Sequence, residues 1–554
     1  MKKIIFIILF SIIVVSFLGL FLQTVLLAPA IRKNDSNFKN FFPDDYITDN
    51  QKKIDILHYN LEFDLYPEDK KLIASAEITG IILRKSITSI DLNFYDNFEI
   101  NEVTLNDEKT DYISEGKFFS IPLSPELEDT FVIKIGYEGT PQRTGLAGFV
   151  FGKRNGIPLV YTLSEPTEAS SWFPCNDLPT DKTLLDIKIT NDSSMISVSN
   201  GILFSEELYG DRKTYHWKTV YPISTYLIAL YSSDYETFSD QYISVDGKDT
   251  MSLFYYVLPD KLEEAKVDFS EHVEILNYFS KTFGEYPFIK EKYGVAEFLW
   301  TSGAMENQTI TGVASSLIGG KKFFLDFFVH ELAHHWWGNA IGPKTWKDIW
   351  LNEGFSSYSE ALYFEYKGGT KALQSTMREK YSSDFSGILS EPGAYLFTST
   401  VYDKGAWVLH MLRWEVGDSV FFKILREYFN HYKYSNASTS DFIEVCETVS
   451  KKDLQKFFNQ WLEGEGEIEL VYEVSSQKEN EVYKTIIYIE QVQEEYKYYE
   501  FPIEIVLNSE SNSVVKHVIR VNGKETIFTV ITENKPTSIE FDSNNWLLAT
   551  INEK

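Results

Sequence analysis

Residues 327–339, FFVHELAHHWWGN, place three histidines and one glutamate in an otherwise apolar segment. The whole chain has only nine histidines, so this concentration requires an explanation. Residues four apart lie on one face of a helix, and the imidazoles of His330 and His334 can therefore converge on a single ion. Glu331 lies beside that pair. The segment predicts a helix that carries a metal site, in the pattern H-E-x-x-H.

A third ligand is expected because a catalytic zinc keeps three protein ligands and one open position. Glu353 follows His334 after 18 residues, in the helical pattern WLNEGFSSYSEALYF, residues 350–364. Glu360 lies seven residues further along the same face and could hold a ligating imidazole through its second nitrogen. The alternative for Glu360 is an ordinary surface glutamate. His335 points about 100° away from the pair, which favours packing or a contact behind the ligands.

The predicted ligand set defines a chemistry. One zinc per chain, bound by His330, His334 and Glu353, would make a zinc-bound water acidic enough to react near neutral pH. Glu331 is placed to act as the base that activates this water. The alternative interpretation of the segment is two histidines with satisfied hydrogen bonds on a helix that faces the core.

Two further motifs accompany the zinc segment. Gly303-Ala304-Met305-Glu306-Asn307 precedes it, and the stretch YDKG, residues 402–405, follows it. Together with H-E-x-x-H, 18 residues and N-E-G-F, they resemble the gluzincin metallo-aminopeptidases of the aminopeptidase N and leukotriene hydrolase type. SEPTEASSWFPCNDLP, residues 164–179, adds to the resemblance, which extends over about residues 50–465.

The resemblance implies a zinc-dependent aminopeptidase that releases N-terminal residues from peptides, and it implies roles for single residues. Glu306 and Glu165 would hold the free α-ammonium of a peptide substrate, and Tyr402 would stabilise the oxyanion. The backbone at Gly303 and Ala304 would pair with the peptide as an added strand. Two alternatives remain open: a catalytically inactive, peptidase-like binding module, and a different zinc hydrolase, either an endopeptidase or an epoxide hydrolase.

The hydropathy pattern predicts a multidomain α+β protein. Apolar and polar residues alternate at period two before about residue 240 and again after 467, whereas helical spacing dominates between them. With the resemblance, this predicts an N-terminal β saddle at 51–242, a thermolysin-like α/β catalytic domain at 243–462 and a small C-terminal β sandwich at 463–554.

The first residues determine the expected location. Two lysines precede an apolar run from Ile4 to Leu22, long enough to span a bilayer as a helix. We expect residues 1–31 to be an uncleaved transmembrane anchor, with a cleaved signal peptide as the alternative. Residues 32–50 would then be a polar stalk. This predicts a single-pass cell-membrane protein whose catalytic domain lies outside the cytoplasm.

Charge and cysteine content exclude other classes. The formal net charge is −29, which argues against nucleic acid as a partner because phosphates require clustered Lys and Arg. The two cysteines, Cys175 and Cys446, lie far apart in sequence, so we expect buried, unpaired thiols. The sequence does not determine the oligomeric state.

Overall fold

The N-terminal part of the chain is a β domain, as the period-two pattern predicts. The computed structural model describes residues 47–123, 129–301, 303–382, 385, 387–393, 395–494, 496–509 and 513–554. The strands of this domain are β1 (Ile54–Tyr66), β2 (Lys71–Ile82), β3 (Ser89–Asn93), β4 (Glu99–Leu105), β5 (Glu108–Lys109), β6 (Ile113–Glu115), β7 (Phe118–Pro122), β8 (Thr130–Gly139), β9 (Gly148–Arg154), β10 (Ile157–Leu163), β11 (Leu184–Asp192), β12 (Ile196–Ser199), β13 (Ile202–Tyr209), β14 (Arg212–Lys218) and β15 (Leu230–Ser233).

These strands form three sheets. The largest has eight strands in the order β13-β14-β11-β1-β2-β8-β4-β5, beside the sheets β12-β15-β10-β9 and β3-β7-β6. On β1, Leu61, Phe63 and Leu65 are buried, whereas the side chains between them are half-buried or exposed. This alternation places one face of the sheet on the core. The antiparallel pair of β9 and β10 ends at Leu163, two residues before Glu165.

A mixed α/β region follows and carries the predicted zinc segment. Its strands are β16 (Glu236–Ile243), β17 (Thr250–Val257), β18 (Tyr293–Phe298), β19 (Ala304–Met305), β20 (Thr311–Ala314), β21 (Ile341–Pro343) and β22 (Ser435–Ala437). Its helices are α1 (Leu262–Asp268), α2 (His272–Phe283), α3 (Leu325–Ala333), α4 (Trp350–Gly368), α5 (Thr370–Glu379), α6 (Gly405–Val416), α7 (Asp418–Tyr432), α8 (Thr439–Ser450) and α9 (Gln455–Leu462).

The order of the five-stranded sheet, β16-β17-β18-β20-β19, leaves β19 at an edge. Helix α4 packs against α3, α5 and α6. Every residue from Trp350 to Tyr363 is buried, so the helix is covered on all of its faces and not only along one apolar stripe. Neighbouring helices provide this cover. One edge strand and the central helix α4 thus meet near the segment that carries His330.

The predicted boundary between residues 242 and 243 lies within a strand. It falls inside β16, whose backbone pairs with β17 from Glu236 to Ile243. The ladder hydrogen bonds attach this strand to the sheet of the catalytic region, although its alternating sequence resembles the strands before it. The domain bounds stay a prediction, and β16 pairs with the sheet of the catalytic region.

The C-terminal region is built from two small sheets. Its strands are β23 (Ile468–Glu479), β24 (Val482–Gln491), β25 (Phe501–Ser509), β26 (Val514–Val521), β27 (Glu525–Thr532), β28 (Pro536–Phe541) and β29 (Ala549–Glu553). They form the sheets β27-β24-β23-β29 and β26-β25-β28. The predicted multidomain α+β class with an N-terminal β domain is confirmed.

The structure tests the prediction of unpaired cysteines but not that of the membrane span. Cys175 and Cys446 are both buried and free, as their spacing predicted. The predicted membrane span and most of the predicted stalk lie outside the described residues and stay predictions. Across the part of the chain that the structure describes, no helix combines the length and apolar character that a membrane crossing needs.

Candidate active site

Helix α3 and the start of α4 bring three potential metal ligands together. His330 lies in α3, and His334 follows the helix with helical backbone angles, so both rings project from one side. Their Nε2 atoms are 3.0 Å apart. Glu353, in the first turn of α4, places Oε2 3.2 Å from Nε2 of His330 and 3.3 Å from Nε2 of His334. The three atoms form a nearly equilateral triangle.

This triangle fits a zinc ion. Tetrahedral zinc with bonds of about 2.0–2.1 Å requires ligand atoms about 3.3 Å apart. Each imidazole also directs its Nδ1 at an acceptor, namely Glu360 Oε1 at 2.7 Å from His330 and the Trp337 carbonyl at 3.0 Å from His334. The Nδ1 atoms therefore carry the protons, and both Nε2 lone pairs face the same point. Two lone pairs and a carboxylate at such distances call for a cation between them.

Behind His330 lies an ion-pair network that sequence spacing did not reveal. Lys380 donates to Glu360 Oε2 at 2.8 Å and lies 3.9 Å from Asp403 Oδ1. Burial alone would raise the pKa of Glu360, but Lys380 and His330 outweigh it and lower that pKa. Glu360 is thus a charged acceptor that orients His330, as predicted from its position seven residues after Glu353.

Three more buried carboxylates face the same cavity. Glu165, Glu306 and Glu331 are 4%, 3% and 6% exposed, and each has one oxygen without a hydrogen-bond partner among the described residues. Oxygens of Glu165, Glu306 and Glu353 lie within 4.8 Å of one another. Burial raises the pKa of Glu331, His330 opposes this shift, and the nearby Glu306 adds to it. So much buried negative charge requires positive charge from outside the chain.

The segment that carries Glu306 is held in place from both sides. Ala304 and Met305 form the edge strand β19, and the Gly303 carbonyl accepts from the Ala314 amide at 3.0 Å. Gly303 has φ +111°, a conformation that favours glycine. Asn339, which follows the zinc segment, donates its side-chain amide to the Glu306 carbonyl at 2.7 Å. These contacts therefore fix the position of the edge strand β19 in the cavity that contains the ligand triangle.

Tyr402 comes from the opposite wall, in the wide helical turn Thr400–Lys404 that leads into α6. Its ring stacks on the His330 ring with centroids 5.8 Å apart. Burial raises the pKa of Tyr402 well above its usual value, and the nearby Glu353 and Glu165 add to the effect. The phenol therefore keeps its proton and can donate a hydrogen bond into the cavity.

A contact between two glycines places Tyr402 relative to the ligands. Gly354 follows Glu353, and Gly405 lies three residues after Tyr402. A Cβ built on Gly405 would lie 2.9 Å from Cα of Gly354, and one built on Gly354 would lie 2.9 Å from Cα of Gly405. Real Cβ atoms do not approach this closely, so helices α4 and α6 touch here through backbone alone. The motifs N-E-G-F and YDKG meet at this point.

Gly405→Ala is therefore expected to lower kcat by about tenfold or more, because a misplacement of about 1 Å at the reacting groups can cost 10²-fold. Zinc content should stay at one per chain, since the ligands themselves are unchanged. Gly319→Ala is the matched control, because a Cβ at Gly319 meets no atom within 4 Å. Full activity of Gly405→Ala would show that the glycine contact does not position Tyr402.

The remaining residues of the segment have structural roles. His335 is fully buried, stacks on Tyr286 and places Nδ1 2.8 Å from the Tyr286 hydroxyl. It therefore packs and does not ligate, as predicted. Lys380 and Asp403 were missed, since Lys380 reaches Glu360 only through the packing of α5 on α4, and Asp403 comes from the distant turn Thr400–Lys404.

Comparison with known proteins agrees with this geometry. The model of the peptidase M1 N-terminal domain matches residues 56–227, and that of the peptidase family M1 domain matches residues 267–461. Together these matches cover more than half of the chain. The chain belongs to peptidase family M1. The predicted resemblance to zinc aminopeptidases of the aminopeptidase N type is thereby confirmed.

Relatives within family M1 carry aminopeptidase names. Probable aminopeptidase 2 of Sulfurisphaera tokodaii is 27% identical over 401 residues, which is 66% of this chain and 50% of that protein. The mitochondrial aminopeptidase 2 of Saccharomyces cerevisiae is 26% identical over 442 residues, which is 73% of this chain and 46% of that protein. The chain thus spans about half the length of the curated relatives it matches.

Solved structures of other peptidases share the fold. Legionella pneumophila aminopeptidase A, in complex with aspartic acid, superposes with a TM-score of 0.80 over 92% of this chain and 60% of that one, at 19% identity. An M1 zinc metallopeptidase variant of Deinococcus radiodurans, bound to a Tyr-Ser-Ala substrate, gives 0.66 over 75% of this chain and 95% of that one, at 24% identity.

Proposed function

We propose that this M1 protein is a zinc-dependent aminopeptidase that removes single residues from the free N-termini of peptides. The observation that carries the proposal is one cavity that joins a complete ligand triangle to two unsatisfied, buried carboxylates. A dication suits the triangle of His330, His334 and Glu353. A monocation suits Glu306 and Glu165, and the α-ammonium of a peptide is such a group.

The edge strand β19 supports a defined substrate register. A peptide can add to the free edge of Ala304 and Met305 through backbone hydrogen bonds, which do not depend on its side chains. Glu306, the next residue, then meets the first ammonium and prevents the peptide from sliding further. An α-amino group has an ordinary pKa of about 8, so it is largely charged at pH 7. The product of each turnover is one amino acid.

The chemistry uses the residues that face the triangle. Zinc held by His330, His334 and Glu353 would supply Lewis-acid chemistry: it would polarise the scissile carbonyl and allow a water to lose its proton near neutral pH. Glu331 accepts the proton of the attacking water and then delivers it to the leaving amine. Tyr402 donates its hydroxyl proton in a hydrogen bond to the oxygen that becomes negative during attack. Glu360 keeps His330 in the correct tautomer throughout.

The alternative functions use the cavity less completely. An endopeptidase or an epoxide hydrolase needs the triangle and Glu331 but has no need of two buried carboxylates that await a cation. An inactive binding module would not need a buried, unpartnered Glu331 oxygen beside the triangle. The aminopeptidase names of the M1 relatives and the peptide held by the Deinococcus radiodurans structure favour the same assignment.

The direct test is hydrolysis of a panel of aminoacyl fluorogenic amides by the purified chain. We expect release of the fluorophore from at least one amide and one zinc per chain by metal analysis. Chelation should abolish turnover, and added zinc should restore it, because the reaction depends on the positive charge of the metal that the ligand triangle binds. Turnover that survives complete removal of the metal would exclude the proposal.

We further propose that the N-terminal segment, residues 1–31, anchors the protein in the cell membrane with the catalytic region outside the cytoplasm. The apolar run from Ile4 to Leu22 supports this, because it exceeds the core of a cleaved signal peptide. The full-length protein should sediment with membranes and resist extraction by salt. A mature chain that begins after Ala30, found by N-terminal sequencing, would exclude the anchor but not export.

A further inference from the structure

The cavity extends past the ligand triangle to a region that the proposed chemistry does not use. Its volume is about 520 Å³, and its lining continues from Glu306 across His330 to Asp326, Lys380 and Asp403. Glu306 lies on the His334 side, with Oε1 3.9 Å from Nδ1 of that histidine. This second region lies on the His330 side and includes Glu360. We call the wall formed by Asp326, Glu360, Lys380 and Asp403 the acidic wall.

The proposed function determines which part of a substrate reaches the acidic wall. Only one Cα separates the α-ammonium from the scissile carbonyl, so a peptide held by Glu306 and Glu165 has its first carbonyl at the ligand triangle. The second residue must then lie beyond the triangle, on the His330 side. The three unpartnered oxygens of Glu165, Glu306 and Glu331 independently indicate that this cavity receives a ligand.

The charges of the acidic wall do not balance. Lys380 is its one cation among the described residues that line the cavity, and it already pairs with Glu360 at 2.8 Å. The ion pair of Asp403 with Lys380 is long, at 3.9 Å, and the Asp403 side chain, which lines the cavity, is 30% exposed. Asp326 lies in the first turn of α3, where the helix N-terminus also favours a negative charge. Three carboxylates therefore share one ammonium.

Burial intensifies this imbalance. Burial raises the pKa of Asp403 to about 6, although Lys380 opposes the shift. It also raises the pKa of Asp326, and the charge of Glu360 adds to that effect. Both carboxylates would gain from an additional cation in the cavity.

We propose that the acidic wall is a binding subsite for a cationic side chain, lysine or arginine, at the second residue of the peptide substrate. The inference rests on the proposed function and adds the substrate class. A glutamate or aspartate at that position would meet like charge from Asp326 and Asp403. A dipeptide would place its own C-terminal carboxylate there, so short substrates with a free carboxylate are disfavoured as well.

The test compares tripeptide amides that differ only at the second residue. Leucine is the constant first residue, because the apolar side chains of Leu163 and Trp300 line the same cavity as Glu165 and Gly303. Lysine, methionine and glutamate are compared at the second position. We expect kcat/KM to fall in the order Lys, Met, Glu, with about tenfold or more between the extremes. The difference between Lys and Met should shrink at high salt.

Two variants assign the preference to the acidic wall. Asp403→Asn and Asp326→Asn should each lower the ratio of kcat/KM for the Lys peptide to that for the Met peptide by about threefold or more. The ratio cancels any loss that both peptides share. Glu379→Gln is the matched control: it removes one charge beside Lys380 in sequence, but Glu379 is exposed and does not line the cavity. It should leave the ratio unchanged.

The outcomes separate the two proposals. Cleavage of all three peptides at equal rates, or a Lys preference that persists in both Asp variants, would overturn the acidic wall as a cation subsite and leave the aminopeptidase assignment intact. If the zinc-loaded protein cleaves none of the three peptides and none of the aminoacyl amides, the proposed function fails and this inference fails with it.

Discussion

Replacing Glu331 by glutamine is expected to lower kcat by about 10²- to 10⁴-fold while zinc content stays at one per chain. The Glu331 carboxylate lines the cavity beside the ligands without being one of them, and one of its oxygens has no partner among the described residues. Glutamine keeps the size of the side chain but cannot accept the proton of the attacking water. Removal of a ligand, by contrast, would lower zinc content as well.

The measurement is kcat on an aminoacyl amide, together with metal analysis and thermal unfolding of the same preparation. Glu379→Gln, the same change on the exposed side of α5, is the control and should behave as wild type. A fully active Glu331→Gln protein would contradict the role of Glu331 as base. If the variant also loses zinc, the loss of the metal explains its low activity. That result would contradict the placement of Glu331 outside the ligand set.

Several features of the site could be predicted from sequence because each depends on local spacing. Positions four apart on a helix set the geometry of His330 and His334, and positions seven apart on α4 place Glu353 and Glu360 on one face. The motif that contains Glu306 predicted backbone pairing with a peptide, and the structure places Ala304 and Met305, just before Glu306, in the edge strand β19. In each case a few consecutive turns or residues carry the information.

Other features depend on packing between distant segments, and the sequence carries no spacing signal for them. Lys380 reaches Glu360 only because α5 folds back beside α4. Gly354 and Gly405 are 51 positions apart in the sequence, and they touch because α4 and α6 pack against each other at this point. The strand β16 alternates like the N-terminal strands, so its membership in the catalytic sheet depends on its pairing with β17. Tertiary contacts decide such cases.

Acetylation of the peptide N-terminus is expected to lower kcat/KM by about 10²-fold or more. Glu306 and Glu165 are buried and each has one oxygen without a partner among the described residues, so a free ammonium gains charge-assisted hydrogen bonds there. An acetylated terminus has no charge, and its binding would leave both carboxylates desolvated and unpaired, at a cost of several kcal/mol. Glu306→Gln should remove most of this discrimination by weakening hydrolysis of the free peptide.

The most direct measurement is therefore hydrolysis of one short peptide and its N-acetylated twin by the zinc-loaded wild-type protein, with products identified by mass. We expect release of the first residue from the free peptide and little or no cleavage of the acetylated one. Equal rates for the two peptides, or cleavage inside the acetylated peptide, would contradict the aminopeptidase assignment and favour an endopeptidase built on the same ligand triangle.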